Sequence, residues 1–449
     1  MRIHVIAMGG AVMHNLSIAL HLAGHRVTGS DDEIYNPAKD RLQAHALLPE
    51  PGWYPDKLDA SIELVILGMH AKKDNPELAR AQELKLRILS YPEFIAIHAK
   101  NKRRVVVAGS HGKTTTTSMI MHVLKHLGTD FDYLVGAPLE GFEHMIRLSD
   151  APLMVIEGDE YLSSPIDPVP KIIHYKPHLT IITGIAWDHI NVFPTKDDYI
   201  EVFRNYLSQL PDQATVWYYQ GDEDLGRIVE TCRRKDLVFL PYDAHNHEIR
   251  DGAAILVQDG KEYPMQVFGQ HNMQNAEAAL QVCLALGYRA TDVLSALTSF
   301  RGAAKRLQAL HISGQTRIYL DFAHAPSKVK ATVQAIRTQY PGTRLVAILE
   351  LHTFSSLNKN FLSQYRNTLD PANEAVIFYN KHTLEIKRMP GLDAAEIKSQ
   401  FDRPDLLIFT ENAELENYLN TLQKDRAVIV LMSSGTFNGI DIKGWAQGE

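Results

Sequence analysis

A chain of 449 residues is too long for one compact core, because single domains run to about 100–200 residues, so two or three domains are expected. With 45% hydrophobic and 22% charged residues and no long Gly/Ser, Pro or Gln tract, the composition excludes a disordered or fibrous chain. The formal charge of −7 excludes bulk attraction to nucleic acid or an anionic membrane, so a phosphate-bearing ligand needs a local site.

From the N-terminus, Met1-Arg2-Ile3-His4 runs into a short apolar stretch broken by Gly9-Gly10. It has neither a secretion-signal core nor the ~18 apolar residues of a membrane span, and a cytoplasmic protein is expected. Residues 3–7 form an apolar run, Gly9-Gly10 a turn, and Leu16, Ala19, Leu20 and Ala23 a helical stripe closed by Gly24. Val27 opens a second strand ending at Asp31, and residues 64–67 form a third. This β-α-β order predicts a parallel sheet with right-handed crossovers.

The charged stretch Lys100-Asn101-Lys102-Arg103-Arg104 reads as a linker before a strand at 105–108. Residues 153–156 and 179–182 are apolar without alternation, as parallel strands buried on both faces are, and a helical stretch follows at 275–286. After Phe300-Arg301-Gly302 a third alternation places strands at 318–320, 345–349, 375–379 and 428–432. The expected division is 1–99, 100–302 and 303–449, an α/β fold with no short-period repeat. Cys232 and Cys283, the only cysteines, form no CxxC pair, which argues for a reducing compartment and against a cysteine zinc centre.

The sharpest local pattern is Val105-Val106-Val107-Ala108-Gly109-Ser110-His111-Gly112-Lys113-Thr114-Thr115, a strand, a glycine turn, and a helix with Met119, Ile120, Val123, Leu124 and Leu127 on its apolar face. Glycines let backbone N–H groups close around phosphates, and a helix N-terminus adds positive potential. Lys113 then reaches the terminal phosphates and Thr114 offers a hydroxyl to Mg²⁺. This is an ATP or GTP site in the compact form G-x-x-G-K-T, with Val107 where the general pattern has another glycine.

A second element, Leu153-Met154-Val155-Ile156-Glu157-Gly158-Asp159-Glu160, is an apolar strand ending in three carboxylates. A carboxylate at the C-terminal end of a strand beside a P-loop is placed to hold Mg²⁺ through oxygen, and Glu157 is the metal candidate. Without the P-loop, an acidic strand end is equally an ordinary loop start. The third element, residues 179–189, ends in Trp187-Asp188-His189; among 21 histidines, position favours His189 only slightly.

Together with these motifs, Gly269-Gln270-His271-Asn272-Met273-Gln274-Asn275-Ala276, Lys305-Arg306 and Asp321-Phe322-Ala323-His324-Ala325-Pro326 stand in the order and spacing of the Mur ligases. The resemblance covers essentially the whole chain. It implies a Rossmann-like N-terminal domain for a UDP-sugar, a central P-loop ATPase domain, and a Rossmann-like C-terminal domain for a peptide acceptor. It also implies ATP-dependent joining of a carboxylate to an amine through an acyl phosphate. Gly109, Ser110, His111, Gly112, Lys113, Thr114 and Thr115 would then bind ATP. Thr114 and Glu157 would hold one Mg²⁺ and His189 a second, which bridges the γ-phosphate and the substrate carboxylate. His271 and Asn272 match the stretch that meets the adenine end, while Arg306 and Asp321 match residues that reach back to ATP. Two metals with Lys113 and Arg306 would neutralise the two anions that phosphoryl transfer to a carboxylate brings together. Taken singly, Asn272 and Asn275 fit a helix cap and a helix surface, Arg306 a surface ion pair, and 321–326 a plain turn.

Within the family, Ile6-Ala7-Met8-Gly9-Gly10 followed by Gly29-Ser30-Asp31 is similar to the branch that places UDP-N-acetylmuramic acid on the first domain. Gly9, Gly10, Ser30 and Asp31 are its candidate contacts, with Asp31 where dinucleotide folds meet a ribose. Ala7 replaces the usual first glycine. Two kinds of enzyme share that branch, one adding L-alanine and one adding the tripeptide L-Ala-γ-D-Glu-meso-diaminopimelate in peptidoglycan recycling. Tyr35 and Pro37, Glu160-Tyr161, His174-Tyr175-Lys176-Pro177 and Asp188-His189-Ile190-Asn191-Val192-Phe193 favour the tripeptide. Its candidate contacts are His324, His352 and Ser434. The departures are Gly184 for asparagine, Leu162 for aspartate and His352 for arginine. A nicotinamide oxidoreductase leaves the P-loop unexplained, and a non-catalytic ATP-binding regulator is disfavoured by Lys113, Thr114, Glu157, His189 and Arg306 standing together.

Overall fold

The computed structural model describes residues 1–187, 192–250 and 253–448. Two compact units emerge, the first made of Met1–Ile185, Ile200–Tyr242 and Ala278–Arg289, the second of Ala186–Tyr199, Asp243–Glu277 and Ala290–Glu449. Lys100 therefore lies inside the first unit, and residues 100–302 are shared between the two.

The first unit holds two large sheets besides a small antiparallel pair, Leu162–Ser164 with Asp167–Pro170. One has four parallel strands in the order Arg26–Ser30, Arg2–Ile6, Leu64–Leu67 and Ile88–Ser90. The other has seven, in the order Val238–Tyr242, Thr215–Tyr219, Leu179–Ile182, Arg103–Ala108, Leu153–Glu157, Asp132–Leu134 and Ile146–Arg147, parallel except for the last. Its central strands are Val/Ile-rich and buried on both faces, as parallel strands covered by helices must be. The strand Arg103–Ala108 lies between Leu179–Ile182 and Leu153–Glu157, so both neighbours end beside the P-loop.

Residues 98–104 do more than link. His98 Nε2 and Lys102 Nζ lie 2.7 and 3.0 Å from Asp132 Oδ2, and Ser149 donates to the same carboxylate through N at 3.0 Å and Oγ at 2.6 Å. This fully buried aspartate ties the helix Tyr91–His98 to the edge of the seven-stranded sheet. The helix itself starts at a capping box between Ser90 and Glu93, and Ser90 Oγ also reaches Asp167 at 3.0 Å.

The second unit contains an antiparallel sheet, His247–Arg250, Ala253–Gln258 and Lys261–Met265, absent from the sequence expectation. Its outer strands are short and largely polar, while the middle one carries the apolar run 253–257, which the sequence reading passes over. A six-stranded sheet runs in the order Gln308–Ser313, Thr316–Asp321, Ala427–Met432, Arg344–Glu350, Glu374–Phe378 and Leu407–Phe409, parallel except at Gln308–Ser313. Apolar clusters cover both faces of it, one around Val333, Leu349 and Phe361 and the other around Ile348, Leu415 and Ile429. Among the described residues no helix is long and apolar enough to cross a membrane.

Burial pushes the Asp132 carboxyl up, but the hydrogen bonds from His98, Ser149 and Lys102 outweigh it and hold it below the usual carboxylate range. Its contribution to stability is therefore present above the unfolded value near pH 3.9 and is lost as pH falls through the lower folded value. Asp132→Ala, which leaves Lys102 buried without its counter-charge, should cost about 3 kcal/mol near neutral pH. Denaturant unfolding at several pH values should show that deficit shrinking below about pH 4; a deficit that is independent of pH would contradict the assignment.

Candidate active site

The P-loop is shaped by close packing against its neighbour strand. Gly109 has φ +118°, and a Cβ there would run into Thr183 and the Gly184 carbonyl. Ser110 N donates to Gly184 O at 2.8 Å, and Thr183 Oγ1 donates to Ala108 O at 3.1 Å and to His111 O. Gly112, at φ +76°, caps the helix Lys113–His126, whose first N–H groups face the turn. Gly184 itself sits at φ +118°, a conformation for which glycine carries no steric cost, and a Cβ there would lie 3.3 Å from the Asp222 carboxylate. Asp222 instead accepts from Ile185 N at 2.6 Å, which accounts physically for glycine at this position.

The acidic strand end meets the turn directly. Glu157 Oε1 accepts from Thr114 Oγ1 at 2.7 Å and Oε2 from Gly136 N at 2.6 Å. Two oxygen groups of the type Mg²⁺ prefers thus meet beside the phosphate turn. Among the described residues there is no group of three or more His, Cys, Asp or Glu side chains that could hold a metal. Lys113 Nζ lies 2.8 Å from Glu160 Oε2 and also donates to Gly109 O. Burial lowers the affinity of this ammonium for its proton, but Glu160 and Asp159 more than reverse that and hold the lysine above its ordinary value. Asp159 pairs with Lys171 at 2.6 Å. The role of Glu160 is not legible from the motif, because three adjacent carboxylates look alike until the fold aims each one. His189 lies outside the described residues.

In the four-stranded sheet, Ala7 adopts φ +64°, the left-handed conformation a glycine takes without strain, so the turn keeps its glycine geometry despite the substitution. Gly10 precedes the helix Ala11–Leu22. Asp31 holds the glycine turn. Its Oδ2 accepts from Gly9 N at 2.6 Å and its Oδ1 from Asp32 N at 3.0 Å, closing the glycine turn from behind. Burial pushes its carboxyl up to about 6, against the pull of the Gly9 N–H. Ser30 Oγ accepts from Lys57 Nζ at 3.2 Å, a cation the sequence reading does not single out.

In the second unit, Asp321 is an organiser. Oδ2 accepts from Leu307 N at 2.6 Å, and Oδ1 from Ala323 N at 2.7 Å and Thr332 Oγ1 at 3.3 Å. It thereby fixes the Lys305-Arg306-Leu307 turn, where Lys305 and Leu307 carry positive φ. The Arg306 guanidinium lies 4.4 Å from the Phe322 ring centroid, and His324 meets the same ring edge-on at 5.1 Å. Asn272 Nδ2 donates to Phe268 O at 2.8 Å, at the start of the helix Gln270–Ala285, and Asn275 Nδ2 donates to Asn272 Oδ1 at 3.3 Å. Burial lowers the His271 pKa, opposed by Asp321.

The adjacent strands Arg344–Glu350 and Ala427–Met432 bring the two expected acceptor segments together. Buried Glu350 accepts from Ser433 Oγ and from Phe437 N at 2.9 Å, with His352 Nδ1 at 3.8 Å from its other oxygen. Lys305 Nζ donates to Gly435 O at 3.2 Å. The Ser434 hydroxyl is buried without a hydrogen-bond partner among the described residues. Lys305 and Glu350 add a cation and an anion that the sequence reading does not assign.

Three family models cover nearly the whole chain: the Mur ligase family catalytic domain at residues 2–103, the Mur ligase middle domain at 107–283 and the Mur ligase glutamate ligase domain at 305–435. The UDP-N-acetylmuramate–L-alanine ligase of Syntrophomonas wolfei is 30% identical over 366 residues, 79% of this chain and 77% of that one. The UDP-N-acetylmuramate–L-alanyl-γ-D-glutamyl-meso-2,6-diaminoheptandioate ligase of Haemophilus influenzae is 28% identical over 456 residues, 98% of both. Among solved structures, a murein peptide ligase from Psychrobacter arcticus superposes with a TM-score of 0.70 at 23% identity, covering 99% of both chains. The UDP-N-acetylmuramate–alanine ligase of Thermotoga maritima gives 0.72 at 22%, covering 98% of this chain and 97% of that one. At those identities the two structures speak for the fold alone. With three family models in register and a P-loop whose threonine meets a strand-end carboxylate, the chain belongs to the Mur ligase family and is an ATP-dependent ligase that forms carbon–nitrogen bonds in peptidoglycan synthesis.

Proposed function

We propose that the chain joins the carboxylate of UDP-N-acetylmuramic acid to the amine of L-Ala-γ-D-Glu-meso-diaminopimelate, a small-molecule reaction of peptidoglycan recycling in the cytoplasm. The observation that carries ATP-driven activation is the convergence of Lys113, Thr114 and Glu157 at one sheet edge. A carboxylate oxygen attacks the γ-phosphorus of ATP, ADP leaves, and the acceptor amine then attacks the acyl carbon and expels phosphate. Lys113 binds the transferred phosphoryl group, with the N–H groups of residues 109–115 around the triphosphate. Thr114 and Glu157 would hold one Mg²⁺ and His189 a second, and the ions would supply charge neutralisation. Gly9, Gly10 and Ser30 receive the UDP-sugar, with Asp31 shaping the turn. Assignment of His271, Asn272, Arg306 and Asp321 to ATP rests on the family resemblance.

The tripeptide reading draws support from the Haemophilus influenzae relative, which aligns over 98% of both chains, a span that L-alanine ligases nearly match. Glu350 with Ser433 and His352, Lys305 on the Gly435 carbonyl and the unpartnered Ser434 hydroxyl also suit a zwitterionic peptide end. Ligation to free L-alanine is the second reading, supported by the 30% identity to the Syntrophomonas wolfei enzyme. A tripeptide draws binding energy from a pocket remote from the reacting atoms, which free L-alanine does not reach. Phosphate release from ATP with UDP-N-acetylmuramic acid should therefore be at least ~100-fold more efficient with tripeptide than with L-alanine, about 2.7 kcal/mol of transition-state binding. A preference for L-alanine under matched conditions overturns the tripeptide reading.

Lys113→Ala should lower turnover by at least ~100-fold, as loss of a charge-stabilising donor does. It should also cost about 3 kcal/mol of stability, since Glu160 is left buried without its counter-charge. Turnover within a few-fold of wild type would remove Lys113 from the phosphate site. Glu157→Gln, nearly isosteric, should raise the Mg²⁺ concentration needed for half-maximal turnover by about tenfold or more while metal-free nucleotide binding holds. An unchanged Mg²⁺ titration would exclude Glu157 from the metal.

A further inference from the structure

The three carboxylates that end the strand Leu153–Glu157 have three separate commitments. Glu157 takes the Thr114 hydroxyl and the Gly136 N–H, Asp159 takes Lys171 at 2.6 Å, and Glu160 takes Lys113 at 2.8 Å. The last pair is the most enclosed, with Glu160 1% exposed and the Lys113 side chain 15% exposed. Lys113 is also the proposed phosphate ligand, and any part for Glu160 in nucleotide exchange depends on that assignment. A lysine ammonium has three donors and one charge, and here one donor is spent on the Gly109 carbonyl and the charge on Glu160.

We propose that Glu160 is a positioning residue that competes with phosphate for the Lys113 ammonium, so that nucleotide binding and release at the P-loop proceed by exchange of one anion for another. The backbone around the pair does not have to move for this. Gly158 N donates to Val107 O at 2.8 Å, and a Cβ on Gly158 would meet Val107 O and Ile172, so the chain leading to Glu160 is fixed against the P-loop strand. Exchange is confined to the two side chains. A phosphate oxygen that draws Lys113 away must leave Glu160 with weaker compensation, which lowers nucleotide affinity. After transfer, the carboxylate recaptures the lysine and hastens loss of ADP and phosphate. A residue serving only to pack the turn would have neither effect. Asp159, one position earlier, makes its short ion pair with a different lysine and acts on Lys113 only through space, so it provides a graded comparison.

The test is ADP binding by calorimetry on full-length Glu160→Gln, with ATP turnover measured in parallel. Removing the competing charge should tighten ADP binding by about tenfold, and lower both KM for ATP and kcat as product leaves more slowly. Asp159→Asn, which removes a charge that meets Lys113 only through space, should tighten ADP binding clearly less than Glu160→Gln does. In Glu160→Asp, which keeps the charge but reaches less far, ADP binding should fall between wild type and Glu160→Gln; that variant carries the test should Glu160→Gln not fold, and no tightening in it overturns the proposal. Unchanged or weaker ADP binding in folded Glu160→Gln also overturns it, as does equal tightening in Asp159→Asn. Lys113→Ala separates the two levels. Wild-type ADP affinity there refutes Lys113 as the phosphate ligand, and with it the exchange; weakened affinity without tightening in Glu160→Gln refutes the exchange alone.

Discussion

The parallel pairing of Arg103–Ala108 with Leu153–Glu157 is the constraint on which the active centre depends. Its register sets Val107 beside Glu157, and the Gly158 N–H to Val107 carbonyl bond continues it one residue further. A β-strand alternates its side chains, so a slip of one residue would turn Glu157 to the opposite face and leave Thr114 without its carboxylate. Register here is strongly specified, because Val105, Val106, Val155 and Ile156 are fully buried and tolerate no exposed alternative. The hydrophobic core of the sheet is in this sense what aims the polar groups. The neighbour on the other side contributes similarly, since Thr183 and Gly184 hold the turn through its own carbonyls and N–H groups.

The first unit concentrates opposite charges that are individually costly to bury. Asp132 gathers His98, Lys102 and Ser149, while Glu77, also fully buried, accepts from Tyr54 N at 2.7 Å and lies 3.2 Å from His4 Nε2. Each joins segments distant in sequence, and each carboxyl is held below its usual range by hydrogen bonds that outweigh burial. Asp31 is the contrary case, raised because burial outweighs its backbone bonds. Partnered carboxylates thus fasten the frame, and the less compensated one sits at the turn proposed as the sugar-nucleotide site.

Much of this is legible in the amino-acid order. Long apolar runs without alternation mark the central strands at 105–108, 153–156, 179–182 and 428–432, and Gly-Lys-Thr marks the phosphate turn. The strand Thr215–Tyr219 and the edge strand Val238–Tyr242 escape notice because they are short and Pro241 interrupts the second, and the antiparallel strands of 247–265 because the outer two are short and largely polar. Asp31 reads from sequence as a ribose contact, and its bond from the Gly9 N–H is a further role that spacing does not show. Spacing shows that an acid follows a strand but not which way its carboxylate rotates. The same limit hides Glu160, Glu350 and Lys57, whose partners lie 47, 87 and 27 residues away. Family resemblance, by contrast, rests on the order of several motifs, which survives without knowledge of any single rotamer.

The central claim is that ATP energy passes through a carboxyl phosphate of UDP-N-acetylmuramic acid. It is tested most directly by labelling both carboxylate oxygens of that substrate with ¹⁸O and following one turnover with tripeptide by mass spectrometry. Attack of the carboxylate on the γ-phosphorus followed by loss of phosphate from carbon places one labelled oxygen in each phosphate released and leaves the other in the amide product. Amide formed with release of phosphate free of label would contradict an acyl-phosphate path.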